Sequence, residues 1–563
     1  MSPNKGGPFS LQRLLVMAGS ISSSEPEKGN TKATTQQSRD DSVSSQGAPV
    51  EPEIQRGLKS RHTQLIALGG TIGTALFVGS GVTLHKGGPG FLLITYILMS
   101  VLVYLIVNSI ILTASYLPVK GATPAYFMGR YVSPSLGWAM GWYYWYSFGI
   151  FVPYEITAST LVIDFWNPPV HPAVWITILI IVSVVLNLLP VSIYGESEFY
   201  FASLKVITII GLLLLSSILF WWGGPGNPRL GFSYWGNPGA FNTYILDGSR
   251  GYAVSFFSTL ISALLPFSFA PEMLVFCSGE MKSPRRNLPK AGNSFIIRIL
   301  VFYIGSVIAI GVICLSNQEG LTSGTSGAGS SPFILGIKRA GIHGLDSVIN
   351  AAILTSAWSA ANSFIYQASR SLYSMALQGD APKICARCTK KGVPYVAVLC
   401  TSSFSLLAYL NVNAKSGEVF SWLVNLVNTA AFISWICCAI ASIRFQKAFN
   451  IQKLDRNDLT FTSKWEPYTS YFCIVVFTLL CLINGFEVFL PGSWSTSSFF
   501  SGYVGIPIFA VLYLGHRFTA GSKDGWAIPL QSVNLTTGLD ELKAEEEPFA
   551  AKPSVWARMK CRV

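Results

Sequence analysis

Three ionisable side chains stand inside apolar stretches long enough to cross a bilayer. They are Glu155 in Phe151-Val152-Pro153-Tyr154-Glu155-Ile156-Thr157, Lys205 in Phe201-Ala202-Ser203-Leu204-Lys205-Val206-Ile207, and Glu272 at the end of Pro266-Phe267-Ser268-Phe269-Ala270-Pro271-Glu272. A charge at bilayer depth costs about 3 kcal/mol on an insertion scale, so each must face protein or water. A lysine that is dried and wetted in turn can take up and release a proton, which gives Lys205 the chemistry of a coupling group; bracing a helix with a static charge is the alternative use. Glu155 likewise reads either as a substrate or proton contact or as a structural acceptor.

Two stretches also carry helix breakers. The first runs Leu65-Ile66-Ala67-Leu68-Gly69-Gly70-Thr71-Ile72-Gly73-Thr74-Ala75, followed by Gly79 and Gly81. Its glycines let the chain leave helical geometry without a Cβ clash, and an unwound turn frees N–H and C=O groups for a ligand. Gly69 and Gly73, four apart, would equally serve close packing of a neighbouring helix. In the sixth stretch Pro266 and Pro271 remove two backbone donors. Helix ends at such breaks offer N–H groups to a carboxylate and C=O groups to an ammonium, the two poles of a zwitterion. The residues expected to contact substrate are Gly70, Thr71, Ile72, Gly73 and Thr74 at the first break, Phe269, Ala270 and Glu272 at the second, with Glu155 and Asn362 beside them. Asn362 belongs to a face with Tyr366, Ser369 and Arg370 that either lines a bundle interior or glues helices together.

The elements that must position these groups are apolar helices. Half of the 563 residues are hydrophobic, and mean hydropathy is +0.46, which places the chain in a membrane. Twelve stretches are candidates for spans: 65–84, 91–114, 136–165, 174–189, 199–222, 252–277, 295–315, 348–369, 396–410, 419–443, 471–490 and 504–514, the last extendable to 518. The expected fold is an all-α polytopic membrane protein. Because the broken stretches are the first and the sixth, two sets of five entering from opposite sides would form a 5+5 inverted repeat with the ligand between the breaks. Lysine and arginine concentrate in the connections after even-numbered stretches, among them Lys282, Arg285, Arg286 and Lys290, which predicts both chain ends in the cytoplasm. Residues 1–61 read as a disordered cytoplasmic tail, 62–518 as the transmembrane domain, and 519–563 as a second cytoplasmic tail. The acidic run Asp540-Glu541-Leu542-Lys543-Ala544-Glu545-Glu546-Glu547 reads as a solvated segment.

Several function classes drop out. The basic residues form no continuous stripe, so nucleic acid is not an expected partner. Cys385 and Cys388 form a C-x-x-C without a second pair or nearby histidine, and no metal or other cofactor is expected. The five histidines, His62, His85, His171, His343 and His516, are too scattered for an embedded enzyme, and no P-loop supplies ATP hydrolysis. A channel's continuous polar lining is missing. A secondary transporter remains, with a transporter-like sensor signalling through its tails as the alternative.

Several motifs then point to one family. Arg56-Gly57-Leu58-Lys59-Ser60-Arg61-His62 leads into the glycine-rich stretch, and Tyr194-Gly195-Glu196-Ser197-Glu198-Phe199 precedes Leu204-Lys205-Val206. Ser278-Gly279-Glu280 is followed by Ser283-Pro284-Arg285-Arg286-Asn287-Leu288-Pro289, and Ser369-Arg370 by Gly379-Asp380-Ala381-Pro382. With these the chain resembles the fungal amino acid permeases of the amino acid, polyamine and organocation transporter superfamily. The resemblance implies uptake of L-amino acids with H+ across the plasma membrane on a 5+5 inverted repeat plus two C-terminal helices, twelve transmembrane helices in all. It implies that Gly70 to Gly73 bind the substrate carboxylate, that the sixth-stretch break receives the ammonium and side chain, and that Lys205 carries the proton. Where the family commonly has Gly-Thr-Glu, this chain has Ala270-Pro271-Glu272, which keeps the acid and removes a donor. Lys5, Lys28 and Lys32 resemble the ubiquitin-ligase targets of regulatory amino-terminal tails.

Overall fold

A computed structural model describes residues 73–546 apart from 120–121, 226–227, 279–280, 282, 322–330 and 414–415. Gly70, Thr71 and Ile72, and the amino-terminal tail with Lys5, Lys28 and Lys32, lie outside the described residues. No sheet occurs among the described residues; the architecture is helical throughout. A π-helical turn, Ala75–Gly79, leads into α1 (Ser80–Tyr116), and the short α2 (Pro124–Tyr131) precedes α3 (Pro134–Ile163). Next come α4 (Pro172–Leu188), α5 (Val191–Trp221), α6 (Gly248–Ser262), α7 (Ala270–Ser278), α8 (Pro284–Ile299), α9 (Gly305–Ile313) and α10 (Pro332–Arg339). The chain continues through α11 (Leu345–Gln378), α12 (Tyr395–Ser402) and α13 (Ser416–Ile451). It ends with α14 (Tyr468–Leu482), α15 (Thr496–Tyr503), α16 (Gly505–Phe518) and α17 (Leu539–Glu546).

Among the described residues eight helical segments are long and apolar enough to cross a membrane, or nine when α15 and α16, bent by 43°, are taken as one. Two further apolar helices, α4 and α14, are shorter. The protein is an all-α polytopic membrane protein. Its helices sort by burial. The most apolar windows of α3 and α13 are 89% and 83% buried, whereas that of α5 is 28% buried and leaves Ile207, Leu214 and Ile218 outward, as a lipid-facing helix must. α11 packs along α3, so these two and α13 form the interior against which the breaks are held.

Local rules account for the boundaries. Thr123, Ser133 and His171 each cap a helix by accepting from the backbone of Tyr126, Leu136 and Ala173, and each is followed by proline, whose missing N–H costs nothing there. The connection expected between the first two stretches is absent as a loop: helix resumes at once across Gly88, whose φ of 72° only glycine adopts easily. The ninth stretch is helical only through Ser402 and tightens into a 3-10 segment over Ser403–Tyr409.

The acidic tail departs from expectation. Asp540 and Glu541 are exposed, but Val533, Leu535, Leu539 and Leu542 are buried, so the segment docks with its apolar face inward. The alternation of leucine and acid in α17 is the pattern of an amphipathic helix, overshadowed in sequence by the charge run.

Candidate functional site

The described part of the first stretch starts at Gly73 and runs at once through Thr74 into the π-helical turn Ala75–Gly79; the glycine-rich segment expected to break it lies outside the described residues. Thr74 Oγ1 donates to Glu155 Oε2 at 2.8 Å, the Thr74 N–H lies 3.5 Å from the same oxygen, and the Tyr154 hydroxyl is 3.4 Å from the threonine. Glu155 thus serves as the acceptor that closes the break from α3. A Cβ at Gly73 would displace Glu155 Oε1 from its place beside Thr74 and stand 3.3 Å from Ala360 Cβ of α11. One turn on, the Phe77 carbonyl, loosened by the π geometry, is taken up by Ser331 Oγ at 2.7 Å.

Lys205 reaches this cluster from α5, and the charges of Glu198 and Glu155 both act on it. All three are at most 2% exposed. Sequence reasoning passed over Glu198, although the signal was there: it precedes Lys205 by seven residues, two turns along the same face. Ser359 Oγ of α11 donates to Glu198 Oε1 at 2.8 Å. Asn362, one turn further, is held by Asn187 of α4, whose Nδ2 donates to Asn362 Oδ1 at 2.6 Å. It ties α4 to α11 next to Glu198.

The second break is built differently. α6 ends at Ser262, a 3-10 turn covers Leu265–Phe267, and Phe269 takes a left-handed φ of 57° before α7 starts at Ala270. A bulky residue is strained in that region, so the surrounding packing must hold it. Pro266 sits inside the break, and Tyr303 donates to its carbonyl at 2.8 Å. Pro271 lies in the first turn of α7, where its absent donor does not break the helix. Aromatic rings cover the turn: Phe148 lies 5.0 Å and Phe151 5.9 Å from Phe269, and Phe151 stacks on Phe364 at 4.1 Å. Glu272 turns from this wall toward α13, accepting from Ser434 Oγ and, at 3.3 Å, from Trp435 Nε1. Tyr144 of α3 completes the cluster at 2.6 Å from Ser434.

The π turn Ala75–Gly79 that follows the first glycine-rich segment packs against the 3-10 turn Leu265–Phe267 of the second break. Of the expected contacts, Gly73, Thr74 and Glu155 come together at the first, Phe269, Ala270 and Glu272 at the second, and Asn362 stands to the side with Asn187. Thr74, Glu155, Phe269, Ala270 and Glu272 are all buried. Two turns into α1, a clamp joins this helix to α6. Lys86 Nζ donates to Glu487 Oε1 at 2.6 Å, Ser258 of α6 donates to the same oxygen at 2.6 Å, and Ser255 holds the Lys86 carbonyl at 2.7 Å.

A family model described as amino acid permease matches residues 62–524, which spans both breaks and every charged group above. The chain belongs to the amino acid permease family. Among curated relatives, this permease is 43% identical over 507 residues to the proline-specific permease of Emericella nidulans, covering 89% of this chain and 92% of that one. It is also 43% identical to the proline-specific permease of Saccharomyces cerevisiae, over 87% of this chain and 79% of the relative. The dicarboxylic amino acid permease of Saccharomyces cerevisiae is 36% identical, over 92% and 86%. The permease is therefore a secondary amino-acid transporter and not an enzyme.

Proposed function

We propose that this permease imports L-amino acids with protons across the plasma membrane, binding substrate between the two breaks. The reading assigns it twelve spans, a 5+5 inverted repeat plus two C-terminal helices, flanked by cytoplasmic tails at 1–61 and 519–563. The observation that carries it is Thr74 at the start of the first helix bonded to the buried Glu155, with the buried Lys205 and Glu198 near it. Gly70 to Thr74 receive the substrate carboxylate; Phe269 and Ala270 face its ammonium and side chain, Glu272 supports them from behind through its bonds to α13, and Asn362 steadies the wall between.

Lys205 is the proton carrier. Protonated, its ammonium is shared by Glu155 and Glu198 and ties α5 to α3; when the proton leaves for cytoplasmic water, Glu155 retains only Thr74 and the first break loosens. Proline is the substrate to test first. Two relatives at 43% identity are named proline-specific, against 36% for the dicarboxylic permease, and the Phe148, Phe151, Phe269 and Phe364 wall suits a compact apolar side chain.

Competition of radiolabelled proline, arginine, leucine and glutamate uptake in permease-deficient cells, repeated with a protonophore, tests all of this. The proposal predicts protonophore-sensitive proline accumulation. Substrate binding without net uptake would replace it with the sensor reading.

A further inference from the structure

The carboxy-terminal segment is bound to the helix ends by a series of hydrogen bonds. Arg130 of α2 donates from Nε to the Asn534 carbonyl at 2.6 Å, and from Nη2 to Asn534 Oδ1 at 3.0 Å and the Thr537 carbonyl at 2.8 Å. Gln452, just past α13, donates to the Leu530 and Val533 carbonyls at 3.1 and 2.8 Å. The Ile528 N–H pairs with the Val132 carbonyl at 2.8 Å, and Arg444 bridges the Tyr131 and Ile528 carbonyls. Gly538, at φ 87°, brings the chain over Val119, just past the end of α1; a Cβ there would lie 3.4 Å from Val119 Cγ1. One segment therefore touches the ends of α1, α2 and α13.

Its placement has a mechanical consequence. α2 packs on α7, the helix leaving the second break, and Phe127 and Met128 of α2 meet Val275 of α7 and Cys438 of α13 around a cavity of about 20 Å³. For α7 to swing away from α3 and α13, α2 must give. What pins α2 is a segment whose two Arg130–Asn534 bonds lie at the surface, and surface-exposed hydrogen bonds are among the first to open.

We propose that residues 528–542 are a strap that holds α2 against α7, keeping the cytoplasmic half of the second break closed, and that it lifts at each inward opening. The inference rests on the transport reading. Loosening the strap raises the population of the open inner side; tightening it lowers turnover without touching either break.

The test uses the full-length chain in inside-out vesicles carrying Val275→Cys, reacted from the cytoplasmic side with a membrane-impermeant maleimide. Arg130→Ala, or Leu535→Ala with Leu539→Ala, should each speed modification about tenfold, as loss of a few weak hydrogen bonds or buried methyls permits. An unchanged rate in both overturns the strap. If neither variant reaches the membrane, hydrogen exchange over residues 528–542 of the unaltered chain decides. Faster exchange under saturating mixed amino acids supports the strap, and equal exchange removes it. Labelled amino-acid uptake by the unaltered chain in the same vesicles separates the two readings. Uptake with unchanged thiol reactivity sinks the strap alone, while no uptake with altered reactivity sinks the transport reading and leaves the strap as a closing contact.

Discussion

The two breaks solve the same problem with opposite materials. At the first, small residues let backbone and carboxylate meet, and Thr74, Tyr154 and Glu155 carry the polarity, with Lys205 and Glu198 behind them. At the second, a phenylalanine is held in a left-handed conformation under a canopy of rings, and its one carboxylate, Glu272, turns away to α13. A polar break suits charge recognition and proton exchange; an aromatic break suits selection by shape. Under the proposed function, the contrast assigns binding and coupling to the polar region and discrimination to the aromatic one.

The largest effect should come from Gly73→Ala. Forcing a methyl into a packed interior costs about 1–3 kcal/mol, so uptake should fall roughly tenfold to a hundredfold for every amino acid alike. Normal uptake at normal surface levels would dissolve the idea that Glu155 and the first turn must touch. Phe269→Ala should act on selectivity instead: transport persists while the leucine-to-proline uptake ratio rises about tenfold, the usual discrimination of an apolar pocket. Loss of all uptake without a change in ratio would make the two breaks alike.

Smaller changes sharpen the picture. Ser434→Ala removes one donor from Glu272, which should lower thermal stability by about 1–2 kcal/mol with only a few-fold rise in KM, measured by melting and uptake together. A loss of coupling in this variant would move the proton chemistry to the second break. Lys86→Met cuts the clamp between α1 and α6. Its side chains are 15% and 31% exposed, and such a pair contributes about 1 kcal/mol or less, so the expected result is a small drop in melting temperature with coupling intact.

Legibility in sequence followed the same divide. Pro266 and the ionisable residues in apolar stretches mark the second break and the buried charges because each violates what a lipid-embedded helix tolerates, while the glycine-dense segment lies outside the described residues. Glu155 as the acceptor of Thr74 lies on another helix, so its partner depends on packing that no local pattern encodes. Glu198 reads as part of a motif, and its charge on Lys205 emerges only once two turns of α5 are aligned. The left-handed Phe269 is invisible because the residue type argues against it; neighbours impose the conformation. Pro271 misleads, for a proline in a first turn and a proline in a break look the same in one dimension. The docked tail hides its apolar face under a run of acids. Helix count is blurred where Gly88 and Pro89 join two segments without a loop.

The most direct test is proline accumulation in proteoliposomes under an imposed pH gradient, comparing the unaltered permease with Lys205→Met. The account predicts that the unaltered chain concentrates proline against its gradient, whereas Lys205→Met exchanges internal for external proline but no longer accumulates it. Full gradient-driven accumulation by Lys205→Met would contradict the assignment of coupling to the first break.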